Sequence, residues 1–421
     1  MSSPKPLRKL SAAPSDFAKL WFGQAVSRIG SYVTLIGLPL TAAVYLHASP
    51  WQMGLLASAS AAPVLVFSLV AGVWVDRLRR RPIMIAADLG RALILSSIPL
   101  AAWVGRLTIV HLYLAAMLCA LLTVFFDIAY PAWVPSLVLP ERLVEANSRL
   151  ALTESIAEIV GPSLTGALVQ ILTAPIAILC DALSFVISAL GLGLIGAPEP
   201  PPASASEPHI GREIADGLRT LWRNPVLRAL GARSASASFF LGFGSALYIL
   251  FVTRELGLGA ALLGIVITVG GAANLVGAIL ANRLSARWGQ GPTLIAATLA
   301  IGTSSLMVPL TRGSVAVCAA VLIVSQLCDV AWPVYTILET SLRQSIVPSH
   351  LLGRVQAARH LLSQGLLPLG ALTSGAIATR AGIRGTLLLG AAGMLLSTLW
   401  LTASPVRRLS AASFTCPPSR S

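Results

Sequence analysis

The sequence predicts an all-α membrane protein with twelve transmembrane helices in two pseudo-symmetric six-helix halves. Hydrophobic residues make up 56% of the 421 residues and charged residues only 11%, whereas about a quarter of a soluble domain is charged. Apolar stretches of membrane-spanning length follow one another along the chain. Short motifs of the first half recur about 200 residues later, which is typical of an internal repeat.

Each apolar stretch predicts one membrane-spanning helix. Each has roughly the twenty residues that a helix needs to cross the bilayer core, and only helices and closed barrels satisfy their backbone in lipid. The first half holds six predicted helices, at 17–46, 53–75, 83–104, 108–130, 151–173 and 176–196. The second half holds six more, at 228–252, 260–281, 291–310, 314–337, 356–379 and 383–403.

The segment between the halves differs in composition. It begins Ala-Pro-Glu-Pro-Pro-Pro and is rich in Pro and Ser, as linkers are. From Ile210 to Trp222, apolar and charged residues then recur at helical spacing, which predicts an amphipathic helix along the membrane surface. The predicted domains are an N-terminal tail at 1–16, a first half at 17–196, this linker at 197–227, a second half at 228–403 and a C-terminal tail at 404–421.

The net charge of +14 orients the chain in the membrane rather than indicating a nucleic-acid partner. Of the 30 Lys and Arg residues, 19 fall in segments predicted to be cytoplasmic, four in outward loops and seven within the predicted helices. Cytoplasmic loops of membrane proteins carry such an excess, so both termini are predicted to be cytoplasmic. Five cysteines without a CxxC pair and five scattered histidines give no metal or cofactor site.

Three short matches define the internal repeat. Asp127-Ile-Ala-Tyr-Pro131 recurs 202 residues later as Asp329-Val-Ala-Trp-Pro333. Transporters built from two such halves bind their substrate between the halves, near the middle of the membrane. The other matches, both at an offset of about 206, pair Gly161-Pro162 with Pro368-Leu-Gly370 and the loop around Arg77 with Asn282–Arg287.

The loop from Gly72 to Arg81 carries a family resemblance. Its pattern Gly72-x-x-x-Asp76-Arg77-x-x-Arg80-Arg81 resembles the signature loop between helices 2 and 3 of the major facilitator superfamily. Asp88-x-x-Arg91-Ala92 and Trp222-Arg-Asn-Pro-Val226 add a likeness to the bacterial branch with enterobactin exporter-like and macrolide-efflux-like proteins. The resemblance implies the major facilitator fold in the bacterial inner (cytoplasmic) membrane, a small-molecule substrate, a monomer and no cofactor.

The resemblance also implies a conformational latch. In the resembled family, the acid and the later arginine of this loop form a charge cluster with an acid at the end of helix 4, which holds the outward-facing state. Asp127 occupies that position here, so we predict an Asp76–Arg80–Asp127 cluster. In the alternative interpretation, the charges are solvated and only set the topology. The predicted latch residues are Gly72, Asp76, Arg77, Arg80 and Asp127.

The fifth predicted helix contains small residues that favour close packing. Gly161, Pro162 and Gly166 lie in a stretch that resembles the exporter-associated motif of the superfamily, in which small residues let two helices approach closely. The motif favours export over uptake. A Gly- and Pro-containing helix without directional meaning is the alternative.

The same helix contains two candidate proton carriers. Glu154 and Glu158 are four residues apart and share one helix face. Two carboxylates inside a membrane span are costly unless they face a cavity or partners, and mutual repulsion with burial favours proton uptake by at least one of them. We predict that they couple transport to protons. The alternative is a hydrated vestibule in which both pair with arginines such as Arg149.

Other polar and aromatic residues inside the predicted helices are candidates for the wall of a substrate cavity. Arg28 and Arg233 occupy equivalent positions of helices 1 and 7, where they would hold an anionic cargo or pair with the acids of helices 4, 5 and 10. Aromatic residues suit pockets for amphipathic molecules, and ordinary packing or lipid contact is the alternative. The predicted cavity residues are Gln24, Arg28, Tyr32, Arg233, Phe240, Trp332, Tyr335 and Gln364.

These features predict a secondary active exporter of small amphipathic molecules, such as drugs, antibiotics or siderophores, that works by alternating access and proton antiport. An uptake transporter for a small metabolite and a transport-inactive membrane sensor or scaffold are the alternatives. An enzyme is not expected, because the sequence contains no GxSxG, HExxH or Walker-type phosphate loop.

Overall fold

The computed structural model of the chain describes residues 14–197, 199, 210–348 and 351–409, with side chains described except at 14, 15, 69, 70, 73, 76 and 210–214. Every regular element in these ranges is a helix. Helices suit a bilayer because each one satisfies its own backbone hydrogen bonds in lipid. Most of the predicted tails, at 1–13 and 410–421, and most of the Pro- and Ser-rich segment, at 198 and 200–209, lie outside the described residues.

The first half consists of six long helices. Capping residues fix two of their starts: the Ser49 hydroxyl accepts from the Gln52 amide, the Gln52 side chain accepts from the Ser49 amide, and Thr108 caps a later helix. Short turns lie at Thr41–Tyr45 (π-helical) and Pro140–Arg142 (3₁₀). The helices are α1 (Pro14–Leu40), α2 (Pro50–Arg77), α3 (Arg80–Trp103), α4 (Ile109–Leu137), α5 (Leu143–Leu172) and α6 (Ala174–Gly193).

The second half follows a shorter helix, α7 (Ile210–Arg223). A 3₁₀ turn at Cys328–Val330 interrupts one of its helices, and the last residues form another at Pro405–Arg408. Gly382, with a φ of 74°, breaks the longest helix, because glycine adopts this left-handed conformation without strain. The helices are α8 (Pro225–Arg254), α9 (Ala260–Trp288), α10 (Gln290–Leu310), α11 (Val315–Leu327), α12 (Ala331–Ile346), α13 (Leu352–Leu396) and α14 (Leu399–Thr402).

Ten helical segments in the described ranges are long and apolar enough to cross a membrane. One of them, Leu352–Thr402, is 51 residues long and contains the break at Gly382, as two successive spans would. Helix α1 is 27 residues long and is not among the ten. The chain is thus an all-α, multi-pass membrane protein, and the number of twelve spans stays a prediction.

The linker helix α7 packs against the second half. It covers the stretch for which the sequence predicted an amphipathic helix. Leu221 is buried, and Asp216 Oδ2 accepts a hydrogen bond from Arg354 of α13 at 3.1 Å. Gly217 lies directly against the backbone of Arg354, so α7 is tied to α13. The predicted position of α7 along a membrane surface and the predicted domain boundaries stay predictions.

Small residues let the helices of each half approach one another. In the first half α1 packs along α6, where Gly23 faces the backbone of Ser188. In the second half α8 packs along α13, where Gly370 faces the carbonyl oxygen of Phe239. Close van der Waals packing of this kind holds helices together in lipid, where no hydrophobic drive exists between them.

The two halves meet mainly through two helix pairs, α2 with α13 and α5 with α9. Successive helices run in opposite directions, so the bundle has two ends. The end that holds Arg77 to Arg81 is called the arginine-rich end, and the end that holds Pro50 and Ala260 is called the closed end.

Candidate functional site

The first contact between the halves joins α2 to α13 at the closed end. The Ser58 hydroxyl donates to the carbonyl oxygen of Pro368 at 2.8 Å. A Cβ built on Gly54 would lie 2.7 Å from the carbonyl oxygen of Ala371, and Gly375 lies against Pro50. The absence of side chains at these glycines allows the two helices to approach backbone to backbone.

The second contact joins α5 to α9. Ser163 Oγ lies 2.6 Å from Thr268 Oγ1, which also accepts from the Ser163 amide at 3.1 Å. A Cβ on Gly166 would lie 2.5 Å from the carbonyl oxygen of Ala260. This side of the closed end is therefore held by small residues and paired hydroxyls.

The predicted packing motif lies on two faces of α5. Pro162 and Gly166 face α9, where the Pro162 carbonyl oxygen contacts Gly264. Gly161 faces the other way, toward the ring of Tyr32 on α1, and a Cβ there would lie 2.6 Å from that side chain. The motif thus combines a contact between the halves with one inside the first half, and its meaning for export stays a prediction.

The described residues form no hydrogen bond between the halves at the arginine-rich end. Every hydrogen bond that the described residues make between the halves lies between the closed end and Glu158. Arg28, Asp127 and Glu154 lie well inside α1, α4 and α5, yet their side chains expose 34%, 47% and 55% of their surface. An opening therefore leads from the arginine-rich end to these charges.

Arg28 lies between two carboxylates on the wall of this opening. Its Nη2 is 3.2 Å from Asp127 Oδ1, and its Nε is 3.4 Å from Glu154 Oε2. The cluster joins α1, α4 and α5 of the first half and carries one net negative charge if all three groups are ionised. Because the groups are partly exposed, the ion pairs stabilise the fold only weakly, and they are free to exchange partners.

Glu158 lies one helical turn deeper, where the halves touch. Asn274 Nδ2 of α9 donates to Glu158 Oε1 at 2.5 Å, and a Cβ on Gly271 would lie 2.6 Å from the Glu158 carbonyl oxygen. A cavity of about 390 Å³ opens beside this contact, with Trp332 and Thr336 of α12 on its far wall. Glu158 is thus an acid that contacts both halves and a cavity.

The fold agrees with comparisons to known proteins. The sequence model of the family described as Major Facilitator Superfamily matches residues 20–369. The chain belongs to the major facilitator superfamily. This membership and the fold confirm the family and the fold class that the sequence predicted. Membership of this superfamily makes the chain a membrane transporter.

Relatives of this superfamily member include named efflux pumps. The chain is 26% identical over 392 residues to the multidrug efflux pump Tap of Mycolicibacterium fortuitum, which covers 89% of this chain and 92% of that protein. It is 30% identical over 218 residues to macrolide efflux protein A of Streptococcus pyogenes, covering 51% of this chain and 53% of that protein. Its structure superposes with a TM-score of 0.74 on a bacterial homologue of the iron transporter ferroportin in an inward-facing state, at 17% identity and with coverage of 92% and 98%.

Among the side chains that the structure describes, those of the superfamily loop make no hydrogen bond or ion pair with Asp127. Arg80 Nη1 donates to the carbonyl oxygen of Ala132 at 2.9 Å, and Asp127 pairs with Arg28 instead. Arg77 is exposed in the last turn of α2, and a Cβ on Gly72 would meet nothing within 4 Å. The Asp76 side chain lies outside the described residues, so the Asp76–Arg80–Asp127 cluster stays a prediction.

Three of the predicted cavity residues do not face the opening. Gln24 is buried and donates to Ser188 Oγ of α6 at 3.0 Å. Arg233 is buried inside the second half, with its guanidinium carbon 3.8 Å from the centroid of the buried Tyr335 ring. Gln24 thus has a hydrogen-bond partner inside its own half, and Arg233 and Tyr335 are buried against each other in theirs.

The other predicted cavity residues are half-buried. Arg28 and Tyr32 lie on α1 beside the acids of α5, and Gln364 lies on α13, next to Gly365, which faces α2. Phe240 and Trp332 line a cavity inside the second half. The two arginines thus differ, since Arg28 pairs with the acids of helices 4 and 5 and Arg233 with a ring. A role of these residues in substrate binding stays a prediction.

Sequence reasoning missed a charged network in the core of the first half. Asp88 and Arg91 of α3 form a buried ion pair, and Asp181 of α6 accepts hydrogen bonds from Thr34 and Ser184. The Asp88–Arg91 motif served only as a family marker. Asp181 stands alone in an apolar stretch, and an isolated acid of this kind is the signal that could have found it.

A second missed cluster lies in the second half near the arginine-rich end. Glu339 of α12 is buried and its Oε1 lies 3.0 Å from Arg343 Nη1 and 3.2 Å from Arg359 Nε. Glu339 lies beyond the predicted end of the tenth span at 337, so the predicted membrane spans do not include it. The i, i+4 spacing of Glu339 and Arg343 is the signal in the sequence.

Proposed function

We propose that the protein is a secondary active exporter of small amphipathic molecules that works by alternating access and exchanges its cargo for protons. The names of the relatives support export, since one is a multidrug efflux pump over most of this chain's length and another a macrolide efflux protein. The observation that carries the proposal is the asymmetric contact between the halves. They touch from Glu158 to the closed end and part toward the arginine-rich end.

The orientation follows from the charge distribution. Loops with an arginine excess stay in the cytoplasm, so the arginine-rich end faces the cytoplasm and the described conformation is open inward. Cargo from the cytoplasm then reaches the Arg28 cluster through the opening. Rocking of one half against the other opens the closed end and releases the cargo outside.

Glu158 is the best-placed proton carrier. Asp127 and Glu154 both pair with Arg28 inside the first half. Glu158 has an amide partner across the boundary between the halves, so its protonation state bears directly on the contact that must break. A proton that binds from outside would favour one conformation, and its release inside would favour the other. A ligand shifts such an equilibrium only because its affinity differs between the two conformations.

The latch would act in the outward-open state. Closure of the arginine-rich end brings the loop between α2 and α3 toward the second half, and Asp127 would then exchange Arg28 for the Asp76–Arg80 group. The partial exposure of Asp127 and Arg28 permits such an exchange at small cost. Asp127 would thus take part in cargo binding in the inward-open state and in loop closure in the outward-open state.

Transport in inside-out membrane vesicles tests the proposal. A panel of antibiotics and siderophores is added with and without an imposed pH gradient, and accumulation of at least one compound that depends on the gradient is expected. Glu158→Gln should abolish the dependence on the gradient, and Glu154→Gln should weaken it. Glu145→Gln is the matched control, because Glu145 forms only an exposed pair with Arg149.

Two results would contradict the proposal at different levels. If no compound moves under any gradient, the transport proposal is wrong. If a compound moves and both glutamine variants retain the full dependence on the pH gradient, the assignment of the proton carriers is wrong and the exporter proposal stands.

A further inference from the structure

The second half contains a cavity that the exchange of protons does not require. It has a volume of about 380 Å³ and lies among α8, α9, α10, the α11–α12 junction and the part of α13 after Gly382. This volume is within the range of small-molecule sites, which are mostly apolar with a few placed polar groups. The wall fits that description, with Phe240, Tyr248 and Trp332 among its residues.

The equivalent space in the first half is filled. There the guanidinium carbon of Arg91 lies 4.7 Å from the ring centroid of Phe126 and 4.0 Å from that of Phe185. Phe126 corresponds to Cys328 by the offset of 202 that relates Asp127 to Asp329, and Phe185 corresponds to Ala391, which lines the cavity, by the offset of 206. At these two positions the second half has small side chains where the first half has aromatic rings.

Asp329 is the carboxylate on the cavity wall, and no arginine, lysine or histidine lines it. In the first half the equivalent acid, Asp127, has Arg28 as a partner. The equivalent arginine of the second half, Arg233, lies over the Tyr335 ring instead. Within the described residues Asp329 thus has no ion-pair partner, and a carboxylate beside a low-dielectric cavity favours a bound cation.

The hydroxyl groups of the wall add hydrogen-bond acceptors. Ser304 and Ser305 both donate to the carbonyl oxygen of Ile301, and Ser325 donates to the carbonyl oxygen of Ser304. Each of these three serine hydroxyls has therefore used its one hydrogen and keeps only lone pairs for a ligand. Together with the Asp329 carboxylate, these lone pairs suit a ligand that carries N–H donors.

We propose that this cavity binds an amphipathic amine, with the protonated nitrogen at Asp329 and the apolar body against Phe240, Tyr248 and Trp332. The relevance of the site rests on the proposed export function, for which it names a cationic class of cargo. All its walls belong to the second half, so the site keeps its shape while the halves rock. Trp332 also lines the cavity beside Glu158 and separates the amine from the proton carrier.

Equilibrium binding to the purified full-length protein in lipid nanodiscs tests this inference without any transport. The probe is dansylcadaverine, a primary ammonium with an aromatic body, and its uncharged N-acetyl derivative is the matched ligand. The wild type should bind the ammonium probe at least about tenfold more tightly, as a charge-assisted hydrogen bond in a buried site implies. Asp329→Asn should remove this preference while its affinity for the acetylated probe stays unchanged.

Two further variants complete the test. Glu255→Gln removes one negative charge from the same half outside the cavity, where Glu255 pairs with Arg384, and it should keep the preference. Ser305→Phe fills the cavity and should weaken binding of both probes. Size-exclusion profiles and melting temperatures establish that each variant is folded.

The outcomes separate this inference from the exporter proposal. Equal affinity of the wild type for both probes, or an unchanged preference in Asp329→Asn, would overturn the amine site. Undiminished binding of both probes by Ser305→Phe would overturn its location. Because the assay needs no gradient, a protein that binds the amine but moves no compound in vesicles would support the site and contradict the export function.

Discussion

At the scale of single residues, buried arginines are matched in different ways in the two halves. Arg91 is paired with Asp88 and lies between two aromatic rings. In the second half, Arg343 and Arg359 both rely on the Glu339 carboxylate, of which 2% is exposed. A buried charge without a partner is costly, so Glu339 holds α12 and α13 together by pairing with one arginine on each helix.

Replacement of Glu339 should therefore destabilise the protein strongly. Glu339→Gln keeps the shape of the side chain but leaves Arg343 and Arg359 without a counter-charge, which should cost about 3 kcal/mol of unfolding free energy. Glu145→Gln is the matched control, because its pair with Arg149 has more than half of each side chain exposed and should contribute about 0.5 kcal/mol or less. Thermal unfolding in detergent compares the two, and equal melting temperatures would contradict the role of Glu339.

At the scale of helices, α5 and α9 form the contact that defines the closed end. Their approach depends on Gly166, which faces a backbone atom of α9 and no flexible side chain. The paired hydroxyls of Ser163 and Thr268 fix their register. Both helices are continuous through the contact, so a change of one residue on either side moves an entire helix.

A single methyl group at Gly166 should disturb this contact. In Gly166→Ala the new Cβ would lie 2.5 Å from the Ala260 carbonyl oxygen, so α5 and α9 must separate, and overpacking of this kind costs about 1–3 kcal/mol. Gly353→Ala, where a Cβ meets nothing within 4 Å, is the matched control. Melting temperature and vesicle transport should both fall for Gly166→Ala only, and a wild-type profile of this variant would contradict the packing argument.

The helices were easier to predict from the sequence than the contacts between them. Apolar length and caps are local, so each predicted span lies on a helical segment of the structure, although several helices continue beyond the predicted ends. Helix α12 continues to Ile346, beyond the predicted end at 337, because Arg359 of another helix neutralises Glu339. The hydrogen bond from Asn274 to Glu158 depends on how the halves are oriented, and no local pattern encodes that orientation.

At the scale of the whole molecule, the two repeats differ in how they pair equivalent charges, and this difference bears on the proposed transport. Each half carries an arginine and an acid at equivalent positions, and only the first half pairs them, as Arg28 with Asp127. The second half buries Arg233 and leaves Asp329 beside a cavity. Two similar bundles thus take different tasks: the first presents exchangeable charges to the opening, and the second provides a cavity of its own.

Locking the closed end should stop a molecule that works by rocking. Ser163 Oγ and Thr268 Oγ1 are 2.6 Å apart, so cysteines at both positions would have their sulfur atoms close enough for a disulfide, whose bond is about 2.05 Å long. In a background without the five native cysteines, oxidation of the Ser163→Cys/Thr268→Cys variant should abolish vesicle transport. A reductant should restore it, because the bond holds α5 to α9 and the closed end then never opens.

Each single cysteine variant, treated with the same oxidant, is the control. Full transport by the cross-linked protein would show that the contact between α5 and α9 does not part during the cycle, and alternating access by rocking would be wrong for this chain.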